Sequence, residues 1–347
     1  MRLMQALLWP LTLPYGAVVR LRARAYRAGV IQQHRLDGVA ISVGNLIAGG
    51  TGKTPMVLWI AERLMAEGKR PGILTRGYLG RSIPDEDIQI EELDVDIVNS
   101  SSDEVRLMQA RLGERAAFGV GPDRFARGQE LVRQGVKWLI LDDGFQHLRL
   151  ARDVDIVLID ATNPFGGGHL LPAGRLREPH SALARVDIVV ITRSDHAPAV
   201  EAIIRRDSNA PIFYARPQLD SVVLNRSENM SDVSPEARKK KLFAFCGIGN
   251  PSAFLADLRT WGFQIAGHKF FPDHHRYTNS DIQAIEREAE RSGAESLICT
   301  EKDIFNLTEV RSFSADLFYC RISFRMDRPE DFWRAIVSTI NSHRRKG

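Results

Sequence analysis

The stretch GNLIAGGTGKTP (44–55) resembles a phosphate-binding loop in which one position departs from the usual pattern. That pattern is a glycine, four variable residues and then Gly-Lys-Ser/Thr. Gly52, Lys53 and Thr54 match its end, but Ile47 stands where the first glycine is expected. The spacing therefore predicts a nucleotide-binding loop with an altered entry turn.

The residues around this loop are those that ATP binding requires. A β-branched side chain disfavours positive φ, so we expect Gly44 or Gly49 to make the entry turn. An apolar strand precedes the loop and a helix opens at Thr54, so backbone N–H groups can point at phosphate oxygens. Lys53 would neutralise β- and γ-phosphate charge, and the Thr54 hydroxyl would hold Mg²⁺. The predicted ATP-binding residues of the loop are Ile47, Ala48, Gly49, Gly50, Thr51, Gly52, Lys53 and Thr54.

A second metal ligand is expected at the end of another hydrophobic strand. The segment WLILDDG places Asp142 and Asp143 directly after four apolar residues. A carboxylate at such a strand end commonly completes the Mg²⁺ site of a phosphate-binding loop. An Asp-Asp-Gly turn without a metal role is the alternative, and the nearby loop favours the metal role.

The charge distribution separates the N-terminus from the rest of the chain. The 347 residues carry a net charge of +4, and no acidic residue precedes Asp37. Six arginines lie in that segment, so the remaining chain is nearly neutral and lacks the broad basic face of a nucleic-acid binder. The three cysteines lie far apart in apolar runs, which indicates buried thiols in a reducing compartment.

The first 30 residues predict a membrane-associating segment. Leu3–Val19 is uncharged and rich in leucine, and Arg20, Arg22 and Arg24 follow it. The apolar run contains two prolines and is shorter than the roughly 20 residues of a spanning helix. Apolar residues beside arginines suit an interfacial helix on anionic lipid. A helix packed on the protein's own core is the alternative.

Hydrophobic periodicity predicts an α/β fold. Near-continuous Val/Ile/Leu runs alternate with helical stretches, as in a P-loop NTPase-like parallel sheet with helices on both faces. We expect this P-loop domain at 31–206, a linker at 207–240 that contains short strands, and a smaller α/β domain at 241–347 that closes over the active site.

Two classes of protein suit a GGTGKT loop. A ParA/MinD-like membrane-associated switch ATPase carries a lysine just before Gly-Gly, and this chain has Ala48 there. A kinase needs an acceptor site and often a second domain that excludes water. The predicted second domain favours the kinase.

Nine stretches together resemble the lipid A 4′-kinases, the tetraacyldisaccharide 4′-kinase family of Gram-negative bacteria. They occur in the family's order along nearly the whole chain. In one of them, Ser102 and Val105 replace the usual glycine and proline on either side of an Asp-Glu pair. The matching stretches are VGNLIAGGTGKTP, TRGY, DEVRLM, GPDR, LDDGFQH, LPAGRLREP, FCGIGNP, FPDHHRYT and TEKD.

The resemblance implies a reaction and a location. The γ-phosphate of Mg-ATP would pass to the 4′-hydroxyl of a tetraacylated glucosamine disaccharide 1-phosphate. The substrate would lie in the inner membrane, so the enzyme would be peripheral or monotopic on the cytoplasmic face. No nucleic acid and no obligatory protein partner is expected.

The resemblance also assigns catalytic roles. Asp103 would accept the proton of the sugar hydroxyl, although its position also suits a helix N-cap. His274, in the Asp-His-His triplet 273–275, would come from the second domain to pair with this base. As a lone motif the triplet also resembles that of the DHH phosphoesterases, whose further motifs are missing here.

Further residues are assigned to ATP, metal or substrate. Arg177 would bind phosphate oxygens of ATP and Glu178 would join the metal ligands Thr54, Asp142 and Asp143, although a surface Arg-Glu ion pair is the alternative. Ligands bind beyond the carboxyl ends of strands in such sheets. The predicted substrate-binding residues are Arg76, Tyr78, Glu104, Arg124, Gln146 and His147.

Overall fold

The computed structural model describes residues 2–77, 102–225, 231–307 and 310–345, with side chains from residue 8 onward. The chain forms two compact units. The described residues of the first unit are 2–77, 112–216 and 324–345, and those of the second are 102–111, 217–225, 231–307 and 310–323.

The first unit is built on parallel strands in the order β3-β2-β4-β1-β5-β6-β7, of which β7 belongs to this unit only up to residue 216. Strands β1 and β5 are buried along their whole length, as expected for strands covered on both faces. Their bounds are β1 Val39–Asn45, β2 Pro71–Thr75, β3 Ala117–Val120, β4 Trp138–Asp142, β5 Val154–Asp160, β6 Ile188–Thr192 and β7 Ile212–Leu224.

Helices of the first unit connect these strands or pack on them. A short 3-10 turn at Gly113–Arg115 precedes β3, and another at His180–Arg185 precedes β6. The helices are α1 Arg2–Arg27, α2 Lys53–Ala66, α4 Arg124–Arg133, α5 Pro198–Ile204 and α10 Pro329–Arg344.

The second unit contains parallel strands in the order β11-β10-β8-β9, of which β11 belongs to this unit up to residue 323. Along β8, Leu242 and Ala244 belong to one hydrophobic cluster, whereas Phe243 and Phe245 belong to another. Since strand side chains alternate between faces, apolar layers cover both faces of these strands. The strands are β8 Lys241–Cys246, β9 Gln264–Phe270, β10 Ser296–Thr300 and β11 Leu317–Met326. The helices are α3 Asp103–Leu112, α6 Ser234–Lys239, α7 Pro251–Thr260, α8 Asn279–Ser292 and α9 Glu301–Ile304.

The α/β class and the parallel sheet are confirmed, but the units are divided differently from the predicted domains. Helix α10 belongs to the first unit because its Phe332 ring packs 5.2 Å from the rings of both Trp59 and Phe213. The described residues 102–111 belong to the second unit, although they were predicted within the P-loop domain. The predicted linker 207–240 contains β7 and α6. Burial of apolar faces, and not order along the chain, sets these boundaries.

Helix α1 has one face against the protein and one face in solvent. Thr12 and Gly16 are buried, and a Cβ on Gly16 would lie only 2.9 Å from Leu170 Cδ1. On the other side Leu13 is 61% and Leu21 is 69% exposed. In the described chain, none of the helices is long and apolar enough to cross a membrane.

Candidate active site

The phosphate-binding loop joins β1 to α2 in the first unit. Gly49 has φ 116° and Gly52 has φ 88°, so both positions favour glycine. Of the two candidates for the entry turn, Gly49 is confirmed and Gly44 is wrong, because Gly44 lies within β1. The Asn45 amide closes the loop by donating to Gly49 O at 3.2 Å and to Thr51 Oγ1 at 2.9 Å.

Ile47 stands where the loop pattern has its first glycine, and its side chain packs in the hydrophobic core of the first unit. It is 4% exposed and belongs to the same hydrophobic cluster as Leu176. The two residues form an antiparallel β-bridge, and Arg177 N donates to Leu46 O at 2.8 Å. The segment that contains Arg177 therefore lies directly beside the loop, which composition and spacing could not predict.

Asp143 is the centre of a cluster of positive charges. Lys53 Nζ lies 3.5 Å from its Oδ1, and Arg177 Nη1 donates to its Oδ2 at 2.6 Å. Arg124 Nη1 donates to the Asp143 carbonyl at 3.0 Å. Burial opposes ionisation of Asp143, but the charges of Lys53 and Arg177 outweigh it and lower its pKa. The predicted phosphate-binding cations thus meet at one carboxylate.

Glu178 is held by neighbouring side chains. It is 4% exposed and accepts from Arg185 Nη2 at 2.6 Å and from Gln146 Nε2 at 3.1 Å. The Gln146 amide also donates to Asn45 O at 2.9 Å. An arginine already balances the charge of Glu178, and the metal role of Glu178 and of Asp143 stays a prediction.

Asp142 and Thr54 have the chemistry that Mg²⁺ prefers. Thr54 lies in the first turn of α2, and Asp142 ends β4, in register with Val43 of β1. In the part of the chain that the structure describes, no three His, Cys, Asp or Glu side chains are grouped to hold a metal ion. Mg²⁺ commonly uses one or two protein oxygens, with phosphates and water as its other ligands. This donor set therefore fits Mg²⁺ when it arrives with ATP.

The remaining predicted substrate residues of the first unit have different surroundings. Burial, with the charge of Arg124, lowers the pKa of His147 to about 4, so its imidazole is neutral at neutral pH. Arg124 is itself only 5% exposed, whereas Arg76 is exposed. Tyr78 lies outside the described residues. The substrate role of these side chains stays a prediction.

The second unit holds a separate cluster around Asp103, the first residue of α3. His274 Nδ1 lies 3.0 Å from Asp103 Oδ1, and Asn306 Nδ2 donates to Oδ2 at 3.0 Å. Lys302 Nζ lies 3.7 Å from Oδ2. The predicted pair of Asp103 and His274 is therefore in contact, but within one unit, and not across the two predicted domains.

The charges of this cluster set the protonation of Asp103. Its burial opposes ionisation, but the hydrogen bond from His274 and the charge of Lys302 lower its pKa to about 2. The same hydrogen bond raises the pKa of His274 above its usual value. The surrounding cations therefore favour the carboxylate form of Asp103, and its proton affinity lies well below neutral pH.

Lys302 and Asn306 were missed as site residues, although Lys302 lies in the TEKD stretch. Lys302 Nζ lies 3.4 Å from both Glu104 Oε1 and Asp273 Oδ1. Burial opposes protonation of Lys302, but these carboxylates raise its pKa. Glu104 is thus an ion-pair partner of Lys302, and its substrate role stays a prediction.

Comparison with known proteins identifies the family. Residues 4–341 match the family model of tetraacyldisaccharide-1-P 4′-kinase, LpxK. A tetraacyldisaccharide 4′-kinase from Geobacter metallireducens is 41% identical over 348 residues, covering 98% of this chain and 99% of the relative. Another, from Desulfotalea psychrophila, is 34% identical over 341 residues and covers 96% of both chains.

A solved structure agrees with the sequence relatives. The crystal structure of LpxK from Aquifex aeolicus in complex with ATP has a TM-score of 0.72 at 26% identity, covering 97% of this chain and 99% of that one. These matches to a kinase family argue against the switch ATPase alternative. The chain belongs to the tetraacyldisaccharide-1-P 4′-kinase family.

Proposed function

We propose that this chain transfers the γ-phosphate of Mg-ATP to the 4′-hydroxyl of a tetraacyl glucosamine disaccharide 1-phosphate. Family membership supports an ATP-dependent kinase of lipid A biosynthesis. The contacts around Asp103 support the acceptor side of the proposal. A buried carboxylate that a histidine and an asparagine hold in place suits an acceptor base, which a switch ATPase does not need.

The first unit would bind the nucleotide. Backbone N–H groups of the loop and Lys53 would hold the β- and γ-phosphates. A phosphate oxygen of the bound nucleotide would replace the Asp143 carboxylate as the partner of Arg177. Thr54 and Asp142 would hold Mg²⁺, which when bound offsets charge on the phosphates. Asp143 would keep Lys53 and Arg177 in place until the phosphates arrive.

The second unit would supply the acceptor base. Asp103 would orient the hydroxyl and accept its proton as the new O–P bond forms. A pKa of about 2 makes Asp103 a weak base, and this suits phosphoryl transfer, since positioning contributes more than early proton removal in a loose transition state. His274 and Asn306 would hold the carboxylate in one orientation.

Helix α1 would place the enzyme on the membrane that contains its lipid substrate. Its exposed apolar side chains could enter the headgroup boundary, and its arginines would meet anionic lipid. The inner face of the helix contacts the site, because Tyr15 Oη donates to Arg177 O at 2.9 Å. This proposal locates the chain on the cytoplasmic face of the inner membrane.

A transfer assay tests the function. The protein is incubated with γ-labelled ATP, Mg²⁺ and the tetraacyl disaccharide 1-phosphate in micelles, and label in the glycolipid is measured. A 1-phosphate disaccharide already phosphorylated at the 4′-position serves as the control acceptor. We expect label only with the free 4′-hydroxyl. ATP hydrolysis stimulated by DNA or protein, without labelled lipid, would contradict the proposal.

A further inference from the structure

Arg175, which neither the loop pattern nor the predicted site includes, lies against the phosphate-binding loop. Its Nε donates to Ala48 O at 2.9 Å. A Cβ built on Gly49 would lie 2.0 Å from Arg175 Nη2 and 3.2 Å from Cζ. The guanidinium therefore fills the space that any side chain at position 49 would need.

The backbone fixes this arginine beside the loop. Ala48 N donates to Arg175 O at 2.8 Å, so residues 48 and 175 are joined in both directions. The neighbouring Leu176 is 2% exposed and forms the bridge with Ile47. At Gly166 a Cβ would lie 2.7 Å from Arg175 Cβ, so the start of the side chain is also confined.

The charge of Arg175 has no acidic partner among the described residues, where no carboxylate lies within the 4.0 Å ion-pair distance. Arginines nearby in the chain are balanced: Arg177 pairs with Asp143, and Arg185 pairs with Glu178. A fixed guanidinium without an anion, beside a loop that binds anions, has the charge and the donors for a phosphate oxygen.

We infer that Arg175 is an arginine finger supplied by the same chain, which contacts the terminal phosphates of ATP and stabilises the transferring phosphoryl group. Its contacts, Ala48 and Gly49, are the first two variable residues of the loop, and loop backbone in this motif surrounds the β- and γ-phosphates. The inference rests on the proposed kinase function.

The reaction step shows where the charge is needed. The acceptor oxygen bonds to the γ-phosphorus, the bond from that phosphorus to the β-γ bridging oxygen breaks, and ADP leaves with the electron pair. The hydroxyl proton passes to Asp103. Charge develops on the γ-phosphoryl and bridging oxygens, and an arginine there can raise kcat by about 10³–10⁵. Arg175 would supply this charge without a partner protein.

Three variants of the full-length chain test this assignment. Arg175→Ala removes the charge. Arg175→Lys keeps the charge but loses the planar guanidinium, which can donate two parallel hydrogen bonds. Arg216→Ala is the matched control, since Arg216 is another first-unit arginine and pairs with Asp195 at 2.7 Å. Lipid-dependent kcat, the Kd values of ATP and ADP, and the midpoint of thermal unfolding are measured for each.

We expect Arg175→Ala to lower kcat at least about 100-fold, and Arg175→Lys to recover only a small part of this loss. ATP should bind less tightly relative to ADP, because only ATP carries the γ-phosphate. Added guanidinium ion should partly restore the alanine variant. Arg216→Ala should keep wild-type kcat, and every midpoint should stay unchanged.

A wild-type kcat in Arg175→Ala would overturn the assignment, as would an equal loss of ATP and ADP affinity without a change in kcat. A lower unfolding midpoint with no rescue by guanidinium would also overturn it, since Arg175 would then serve only to hold the loop. Failure of the proposed function gives a different result, because the wild-type protein itself would then leave the lipid unlabelled.

Discussion

His274 Nδ1 lies 3.0 Å from Asp103 Oδ1, and both residues belong to the second compact unit. They are 171 positions apart in the chain. The contact therefore does not depend on one predicted domain moving over the other. It gives the proposed acceptor base and the group that would orient it a common support in the fold.

The shared support predicts that Asp103 and His274 act as one group. Asp103→Asn and His274→Ala should each lower kcat by about 10²–10⁴. Groups that act as a unit are not additive, so the double variant should be little worse than the poorer single variant. The Kd of ATP should stay within threefold, as neither residue belongs to the loop. Multiplied losses in the double variant would show independent roles.

The pKa shifts of this pair predict how stability depends on pH. The pKa of Asp103 is lowered, so its contribution is present above the ordinary value of 3.8 and is lost as pH falls through about 2. The pKa of His274 is raised, so its contribution is full below 6.5 and is lost as pH rises through the higher folded value. The pair therefore stabilises the fold most between these two ordinary values.

A matched pair of variants measures this dependence. His274→Gln should reduce the free energy of unfolding more at about pH 5.5 than at a pH above the raised pKa of the His274 imidazole. His268→Gln is the control, because His268 is an exposed histidine of β9 in the same unit. Denaturant unfolding at both pH values gives the comparison. Equal losses at the two pH values would reject a charged His274.

Much of the architecture was predictable because it depends on local patterns. The alternation of apolar runs and helical stretches predicted the parallel α/β sheet, and the thirteen residues of β7 fell within the predicted linker with its short strands. The loop motif identified Lys53 and Thr54 for the same reason. Helix α10 was assigned to the wrong unit, because the partners of its buried Phe332 lie far away in sequence.

The site was predictable only where a motif or the family resemblance named the residue. Asp103, His274 and Arg177 came from matching stretches. Asn306 and Arg175 were missed since their importance lies in what they touch, namely Asp103 and the carbonyl of Ala48. Such contacts join residues that are distant in the sequence, and neither hydrophobic periodicity nor motif spacing predicts them.

Lys53 should be indispensable for phosphoryl transfer. Lys53→Ala removes the fixed charge that would face the β- and γ-phosphates and leaves Asp143 with fewer cations. We expect a loss in kcat of at least about 100-fold. Lys69→Ala, which removes an ion pair with Glu67 in the same unit, should keep kcat within threefold. A threefold change corresponds to about 0.65 kcal/mol, and a loss that small for Lys53→Ala would exclude a catalytic role of the loop.

The exposed side of α1 should bind membranes without contributing to folding. Leu13 and Leu21 are mostly in solvent, so Leu13→Ser together with Leu21→Ser should leave the unfolding midpoint unchanged. Binding to vesicles of phosphatidylethanolamine and phosphatidylglycerol should fall, and lipid-dependent activity should fall mainly through a higher apparent KM. Phe270→Ser is the control: it changes an exposed apolar residue of β9 and should preserve vesicle binding.

These point variants test the membrane role more specifically than deletion of residues 1–30, because the deletion would also remove the hydrogen bond from Tyr15 to Arg177 O. Unchanged vesicle binding in the double variant would reject the interfacial role. A lowered midpoint would instead indicate that this face packs against protein.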